Sequence, residues 1–300
     1  MIELQCHTTL SDGTLTPTQL VEAAIVAGVK ALAITDHDSI AGWDEAYEAA
    51  TAAYDRLGYA LEIVPGLELS TTHQDRSLHI LGFYPQRDKI EMPLQNRIAG
   101  RHRRAAKMVE KLANLGYPIA LPSLGTDQAP GRPHIAQALV QAGYVKSVDQ
   151  AFDRFLGETR PAYVPYDKLS TVEGIQLLRS CGGIPIWAHA YLFRGGAVES
   201  CLPEFVEAGL MGLEVYHPHH SISQIDRLKQ LCKQYNLVMT GGSDYHGPGT
   251  DQRPGKTTET KPQKNHAPDL NALNVPMELL TALKRAAQDL RYLHTPENPD

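Results

Sequence analysis

Short apolar runs that end in histidine or a carboxylate, set between stretches of helical periodicity, constrain the fold of this chain more than any other feature. VKALAITDHD passes from the unbroken run Ala31 to Ile34 into Asp36 and His37. GGIPIWAHA ends at His189, MGLEVYHPHH at Glu214 and His217, and YNLVMTGGSDYHG at Asp244 and His246. An apolar run without alternation suits a parallel strand buried on both faces. LEIVPGLELS, with Glu68, and SLHILGFY, with His79, add two further strands. Helical segments near 171–181, 198–209 and 222–235 separate the last strands. This alternation predicts an α/β fold with a mostly parallel sheet. In β/α barrels, polar residues at successive strand ends converge on one rim.

The helices carry their own signals. Thr16-Pro17-Thr18-Gln19 predicts a helix start: Thr16 as N-cap, Pro17 at the first helical position, and Gln19 completing a capping box. Leu20, Val21, Ala24, Ile25 and Ala27 give the stripe, and Gly28 stops it. A second helix is expected from about Ala41 to Leu57. Residues 96–165 break the rhythm. RIAGRHRRAAKMVEKLANLGY reads as a long basic amphipathic helix, and GRPHIAQALVQAGYV and DQAFDRFLG as two more. The expected organisation is therefore a barrel over 1–95 and 166–300 with a helical insertion over 96–165. GPGTDQRPGKTTETKPQKNHAPDLN is a late loop rich in Gly, Pro and charge, and VPMELLTALKRAAQDL a closing helix.

Bulk properties narrow the function. The 300 residues suffice for one large α/β barrel. A formal charge of -6 argues against a broad basic face for duplex DNA, but not against a small phosphorylated substrate or a short single-stranded RNA. No apolar run approaches the ~20 residues of a membrane span. No basic leader followed by an apolar stretch is visible in MIELQCHTT. Cys6, Cys181, Cys201 and Cys232 show no CxxC spacing, so reduced thiols in a cytoplasmic protein are expected.

The residues that could carry chemistry are His7, Asp12, Asp36, His37, Glu68, His79, His189, His217, Asp244 and His246. Taken singly, each has an ordinary reading. A lone strand histidine is usually a hydrogen-bonded core or rim residue, and Asp36 or Asp38 would serve as N-caps. Their shared position at strand ends changes the odds. Mixed histidine and carboxylate, without cysteine, suits Zn²⁺, Mn²⁺ or Fe²⁺. A cluster of such ions activates water as hydroxide and steadies negative oxygens, the chemistry of phosphate ester hydrolysis. Neither GxxxxGK[ST] nor GxGxxG occurs, so no P-loop or Rossmann turn holds a nucleotide.

In order along the chain, CHTTLSDGTLTP, ITDHDS, GLELS, LHILGFY, GRPHIA, WAHA, LEVYHPHH and GSDYHG resemble the polymerase-and-histidinol-phosphatase (PHP) family of metal-dependent phosphoesterases. The insertion carrying GRPHIA resembles the branch of 3',5'-nucleoside bisphosphate phosphatases and RNase AM-type 5'→3' exoribonucleases. The resemblance implies a distorted (β/α)₇ barrel holding three divalent ions, Mn²⁺ first, with Fe²⁺ or Zn²⁺ as alternatives. It implies one ion at Gln5, His7, Glu68 and Asp244, a second at Glu68, His79 and His189, and a third at Asp12, His37 and His246. Asp12 and His37 are thereby also placed in catalysis. Asp36 would hold a histidine in the right tautomer. Arg132, His134 and His217 would contact substrate phosphate, for which arginine offers a planar fork.

The family pattern opens His-x-His, whereas this chain has Gln5-Cys6-His7. An amide oxygen is a poorer ligand than imidazole, so the ion beside Gln5 is expected to be the weakest. The expected activity is hydrolysis of 3',5'-nucleoside bisphosphates, of the 5' ends of short oligoribonucleotides, or of both. Gln5 alone supports a rival, a catalytically weakened metal- and nucleotide-binding regulator. Histidinol phosphate is the rival substrate within the enzyme class.

Overall fold

The computed structural model describes residues 1–121, 131–165, 169–248 and 269–293. The chain divides into two compact units. The first comprises Met1–Glu91, Lys168–Pro248 and Ala267–Asp300, and the second Met92–Asp167 and Gly249–His266.

The first unit opens with β1 (Ile2–Glu3), α1 (Pro17–Val26), β2 (Ala31–Ile34), α2 (Trp43–Leu57), β3 (Glu62–His73) and β4 (Arg76–Phe83). The α1 start is as expected: Thr16 accepts from the Gln19 amide, the Gln19 side chain accepts from the Thr16 amide, and Pro17 sits in the first turn. α3 (Arg87–Asn114) begins about ten residues earlier than the sequence suggests. Pro93 conceals this start, because a proline inside a helix usually ends it.

After α3 come α4 (Arg132–Gln141), α5 (Val148–Ala151) and one π-helical turn, Phe152–Leu156. The second unit has its own core, in which Met108 and Leu112 of α3 pack with Ile135 and Leu139 of α4 and with Phe155. The chain then runs through β5 (Leu169–Ser170), α6 (Thr171–Ser180), β6 (Ile184–Trp187), α7 (Val198–Glu207), β7 (Gly212–Tyr216), α8 (Ile222–Tyr235), β8 (Val238–Gly241) and α9 (Met277–Leu293). Most of the expected late loop, 249–268, lies outside the described residues.

Seven strands follow one another in the order β1-β2-β3-β4-β6-β7-β8, with β5 paired to β3. All neighbours are parallel except β3–β4 and β4–β6. β3 turns directly into β4 through Gln74 and Asp75, both at positive φ, so a hairpin replaces one β/α step. The ring nearly closes beyond the ends of β1 and β8. Leu4 N donates to Gly241 O (3.3 Å), His7 N to Tyr245 O (2.8 Å) and Tyr245 N to Gln5 O (3.3 Å). Gly242 permits this approach: a Cβ there would lie 2.5 Å from the Gln5 nitrogen.

Alternate residues of β2 separate two cores. Leu32 and Ile34 pack with α1 and α2, while Ala31 and Ala33 join Leu4, Val64, Leu81, Ile186 and Leu283 of α9. The second set faces inward, because the two helices cover the other face. Each buried leucine of this kind contributes roughly 1.5–3 kcal/mol relative to exposure. The parallel strands therefore present their C-terminal ends on one rim. β4, running antiparallel, brings the early part of its length to the same rim.

Candidate metal centre

Five segments of the first unit build the site. Beyond β1, Gln5 and His7 turn to one side, while Cys6 packs in the core that contains Leu20 and Val21. A tight turn follows, with Ser11 N and Gly13 N both donating to Thr8 O (3.0 and 2.9 Å). Gly13 lies against the His7 carbonyl so closely that no Cβ fits. The glycine of Ser-Asp-Gly is thus required by packing.

After β2, Asp36 accepts from Thr8 N (2.7 Å), Thr8 Oγ1 (2.7 Å) and Ser11 Oγ (2.6 Å). This corrects the expectation that Asp36 holds a histidine. Its carboxylate clamps the turn that presents Asp12, because Thr8 and Ser11 offer three donors within reach. His37 pairs beside Glu68 as the β2 extension runs along β3. Glu68 and His79 lie within their strands and not at the ends, because the β3–β4 hairpin continues past the rim. His189 follows β6, and Asp244 and His246 follow β8. His189 (φ 31°) and Asp244 (φ 52°) both occupy the left-handed region, a strained backbone for residues with a Cβ.

Glu68 is the centre of the arrangement and is 1% exposed. Its Oε1 lies 2.8 Å from His79 Nδ1 and 3.1 Å from His189 Nε2. Its Oε2 lies 3.0 Å from His7 Nε2, 3.8 Å from His37 Nδ1 and 3.3 Å from the Gln5 amide nitrogen, which donates to it. Asp244 Oδ1 lies 3.2 Å from His7 Nε2, and Asp12 Oδ1 3.3 Å from His246 Nε2. Asp12 Oδ2 lies 3.7 Å from His37 Nε2.

These groups perturb one another strongly. Burial pushes the Glu68 carboxyl upward, but the imidazoles of His37, His79, His189 and His7 hold it well below the usual range. Burial likewise opposes charge on His7, yet Asp244 and Glu68 raise its pKa well above the ordinary value. For His37, burial prevails over Asp12 and Glu68, and its pKa falls.

Among the described residues, three groups of donor atoms each converge within 4.8 Å: His7, Asp12, His37 and His246; His37, Glu68 and His79; and His7, Glu68 and Asp244. The donor set fits divalent cations. His7 Nε2, His37 Nδ1, His79 Nδ1 and Gln5 Oε1 are buried without a hydrogen-bond partner, although carboxylate oxygens lie close to the imidazole nitrogens. Imidazole nitrogens and carboxylate oxygens turned toward one small buried volume are what a divalent cation satisfies.

The structure brings all nine expected metal-site residues, Gln5, His7, Asp12, His37, Glu68, His79, His189, Asp244 and His246, into this one cluster. His7, His37 and Glu68 each reach two of the groups, whereas His189 is in none of the three, its Nε2 lying 3.1 Å from Glu68 Oε1. His217 is buried, its Nε2 3.6 Å from Asp244 Oδ2. Arg132 and His134 belong to the second unit. Arg132 lies over the rings of Phe152 and Tyr163, and His134 Nδ1 accepts from Gly131 N (3.1 Å) at the start of α4.

Three buried polar residues escaped sequence reasoning as site residues. Glu214 accepts from His189 N. Glu3 accepts from Ser243 and Asn271. His220 is held by Val215 O. The available signal was a charge inside an otherwise apolar run, in MIELQ and in GLEVY.

A nearly closed α/β barrel with a histidine–carboxylate cluster on its rim defines a class of metal-dependent hydrolases. The PHP domain family matches residues 3–163, and the chain belongs to it. It is 36% identical to a 5'-3' exoribonuclease of Haemophilus influenzae, over 82% of this chain and 90% of that one. It is 30% identical to a 3',5'-nucleoside bisphosphate phosphatase of Chromobacterium violaceum, over 87% and 92%. A Bifidobacterium adolescentis structure described as a metal-dependent phosphoesterase superposes with a TM-score of 0.72 at 33% identity, covering 94% of each chain. The chain is a hydrolase, a metal-dependent phosphoesterase that uses divalent ions.

Proposed function

We propose that this phosphoesterase acts on nucleotides, hydrolysing 3',5'-nucleoside bisphosphates and the 5' ends of short oligoribonucleotides. The observation that carries the reading is one buried carboxylate, Glu68, met by four imidazoles on one rim. The relatives named as an exoribonuclease and a nucleoside bisphosphate phosphatase support a nucleotide substrate. Three divalent ions belong to the proposal, Mn²⁺ first and Fe²⁺ or Zn²⁺ as alternatives. Their holders are Gln5, His7, Glu68 and Asp244; Glu68, His79 and His189; and Asp12, His37 and His246.

Bound ions supply positive charge beside the phosphate and acidify water. The chain's own residues do the rest. Glu68 gathers the imidazoles, Asp36 fixes the turn that presents Asp12, and His217 supports Asp244 and faces substrate phosphate. Arg132 and His134, in the helical insertion over 96–165, contact phosphate through the arginine fork and the imidazole. The support for these two is the Gly-Arg-Pro-His motif at a helix start. A cytoplasmic location belongs to the same reading, with the four cysteines standing as free thiols. No helix among the described residues is long and apolar enough to cross a membrane.

A substrate panel at fixed Mn²⁺ tests the proposal. Adenosine 3',5'-bisphosphate and a short 5'-phosphorylated oligoribonucleotide should turn over at least roughly tenfold faster than histidinol phosphate, the scale on which built polar contacts discriminate. The reverse order would contradict it. Tight nucleotide binding without turnover would instead favour the regulatory reading that Gln5 raises.

A further inference from the structure

We propose that Glu214 is a positioning residue for the metal centre. Its carboxylate fixes the strained backbone of His189, so that the imidazole reaches Glu68. The inference rests on the reading of His189 as a metal ligand.

The strand that carries Glu214 gives no structural reason for a charge. Gly212 to Val215 are all buried, and Glu214 is 0% exposed. Burying a carboxylate is unfavourable unless its oxygens find partners. One of them does: Oε2 accepts from His189 N at 2.7 Å. The other, Oε1, is buried without a hydrogen-bond partner. Nor does Glu214 belong to any of the three converging donor groups among the described residues. The His189 amide is therefore the contact that accounts for the carboxylate.

Sheet register explains the meeting. β6 and β7 run parallel with Ile186 opposite Gly212 and Trp187 opposite Leu213. Continued by one residue, that register sets Glu214 level with Ala188, at the point where the chain leaves the sheet. The next residue, His189, has φ 31° and ψ 54°. A residue with a Cβ holds such a left-handed conformation only when its surroundings enforce it. A buried oxygen accepting from the amide at 2.7 Å is a strong enforcer, because rotating the amide away would leave both groups unpaired inside the protein. Rotation of this backbone to an ordinary φ would redirect the Cα–Cβ bond. His189 Nε2 would then leave its place 3.1 Å from Glu68 Oε1.

Two conservative substitutions separate position from side-chain chemistry. Glu214→Gln replaces the carboxyl by an amide but keeps an oxygen that accepts from the His189 amide. Glu214→Asp keeps the carboxyl but withdraws the oxygen by one methylene. Mn²⁺ binding to metal-free protein is measured by competition with a chromophoric chelator, with no substrate present. Glu214→Asp should weaken one metal equivalent by about ten- to hundred-fold, as the loss of a ligand-orienting partner does. Glu214→Gln should bind close to wild type. His189→Ala should show the same loss as Glu214→Asp, and the double variant should lose no more than either alone. Unchanged binding in Glu214→Asp, equal losses in the Asp and Gln variants, a loss confined to Gln, or additive losses would each overturn the proposal. Wild-type binding by His189→Ala would overturn the ligand assignment and this inference together. None of these outcomes bears on which phosphate ester the enzyme hydrolyses.

Discussion

Gln5 stands where the family pattern has histidine, and its amide nitrogen donates to Glu68 Oε2 while its oxygen is buried without a partner. Gln5→His should raise affinity at this position by roughly ten-fold, the scale of single changes around a metal. Metal titration of both proteins checks this, and equal affinities would show that Gln5 is not a substituted ligand. Arg132→Ala should impair nucleotide substrates more than p-nitrophenyl phosphate, and Arg132→Lys should restore only part of the loss, because a point charge replaces a fork. Equal losses on both substrates would remove it from nucleotide recognition. His220 sets a pH dependence. Burial drives its pKa down to about 4, with its Nδ1 on Val215 O. An unfolded histidine takes up its proton near pH 6.5. Between about 6.5 and 4, then, protons favour the unfolded chain, and stability falls as pH falls. The window corresponds to a loss on the order of 3 kcal/mol. Urea unfolding of wild type and His220→Gln at several pH values should show the steeper acid loss in wild type.

At the scale of elements, the helix starts were legible because their chemistry is local. Thr16 to Gln19 could be read directly, and Ser170-Thr171-Val172-Glu173 carries the same signature, with Glu173 accepting from Ser170 N at 2.8 Å. Ser170→Ala should cost about 1 kcal/mol in thermal or urea unfolding. Turnover should not change, since α6 carries no site residue. Strand direction was less legible. LEIVPGLELS and SLHILGFY read as strands, but nothing in either says that the second runs antiparallel. That depends on the turn at Gln74 and Asp75, where two non-glycine residues take positive φ. CHTTLSDGTLTP was legible as a motif, while the clamp of its turn by Asp36 was not, because that contact joins segments 28 residues apart. Gly13→Ala should force the His7 carbonyl aside, with a loss of about 1–3 kcal/mol and weaker metal binding. Unchanged metal binding in that variant would show that the turn does not set Asp12.

Across the whole molecule, most histidines and carboxylates of the cluster were legible in the sequence because they follow or lie within an apolar run, while Asp12 stood out only within the motif CHTTLSDGTLTP. The motif resemblance then implied how they would be grouped around ions. Glu214 and Glu3 were not singled out as site residues: the resemblance assigns neither of them a ligand role, although Glu214 lies within the LEVYHPHH motif. Only the folded register shows that one reaches the His189 amide and the other Ser243. The central claim is that the Glu68-centred cluster holds the divalent ions on which phosphate ester hydrolysis depends. One titration tests it most directly. Protein freed of metal by chelation is supplied with increasing Mn²⁺, and bound metal and phosphate release from adenosine 3',5'-bisphosphate are followed on the same samples. Turnover should be lost on chelation and return in step with bound Mn²⁺ in the wild type. In Glu68→Ala it should stay low at every Mn²⁺ concentration, with metal binding reduced. Full turnover after chelation, or wild-type metal binding and turnover in Glu68→Ala, would contradict the account.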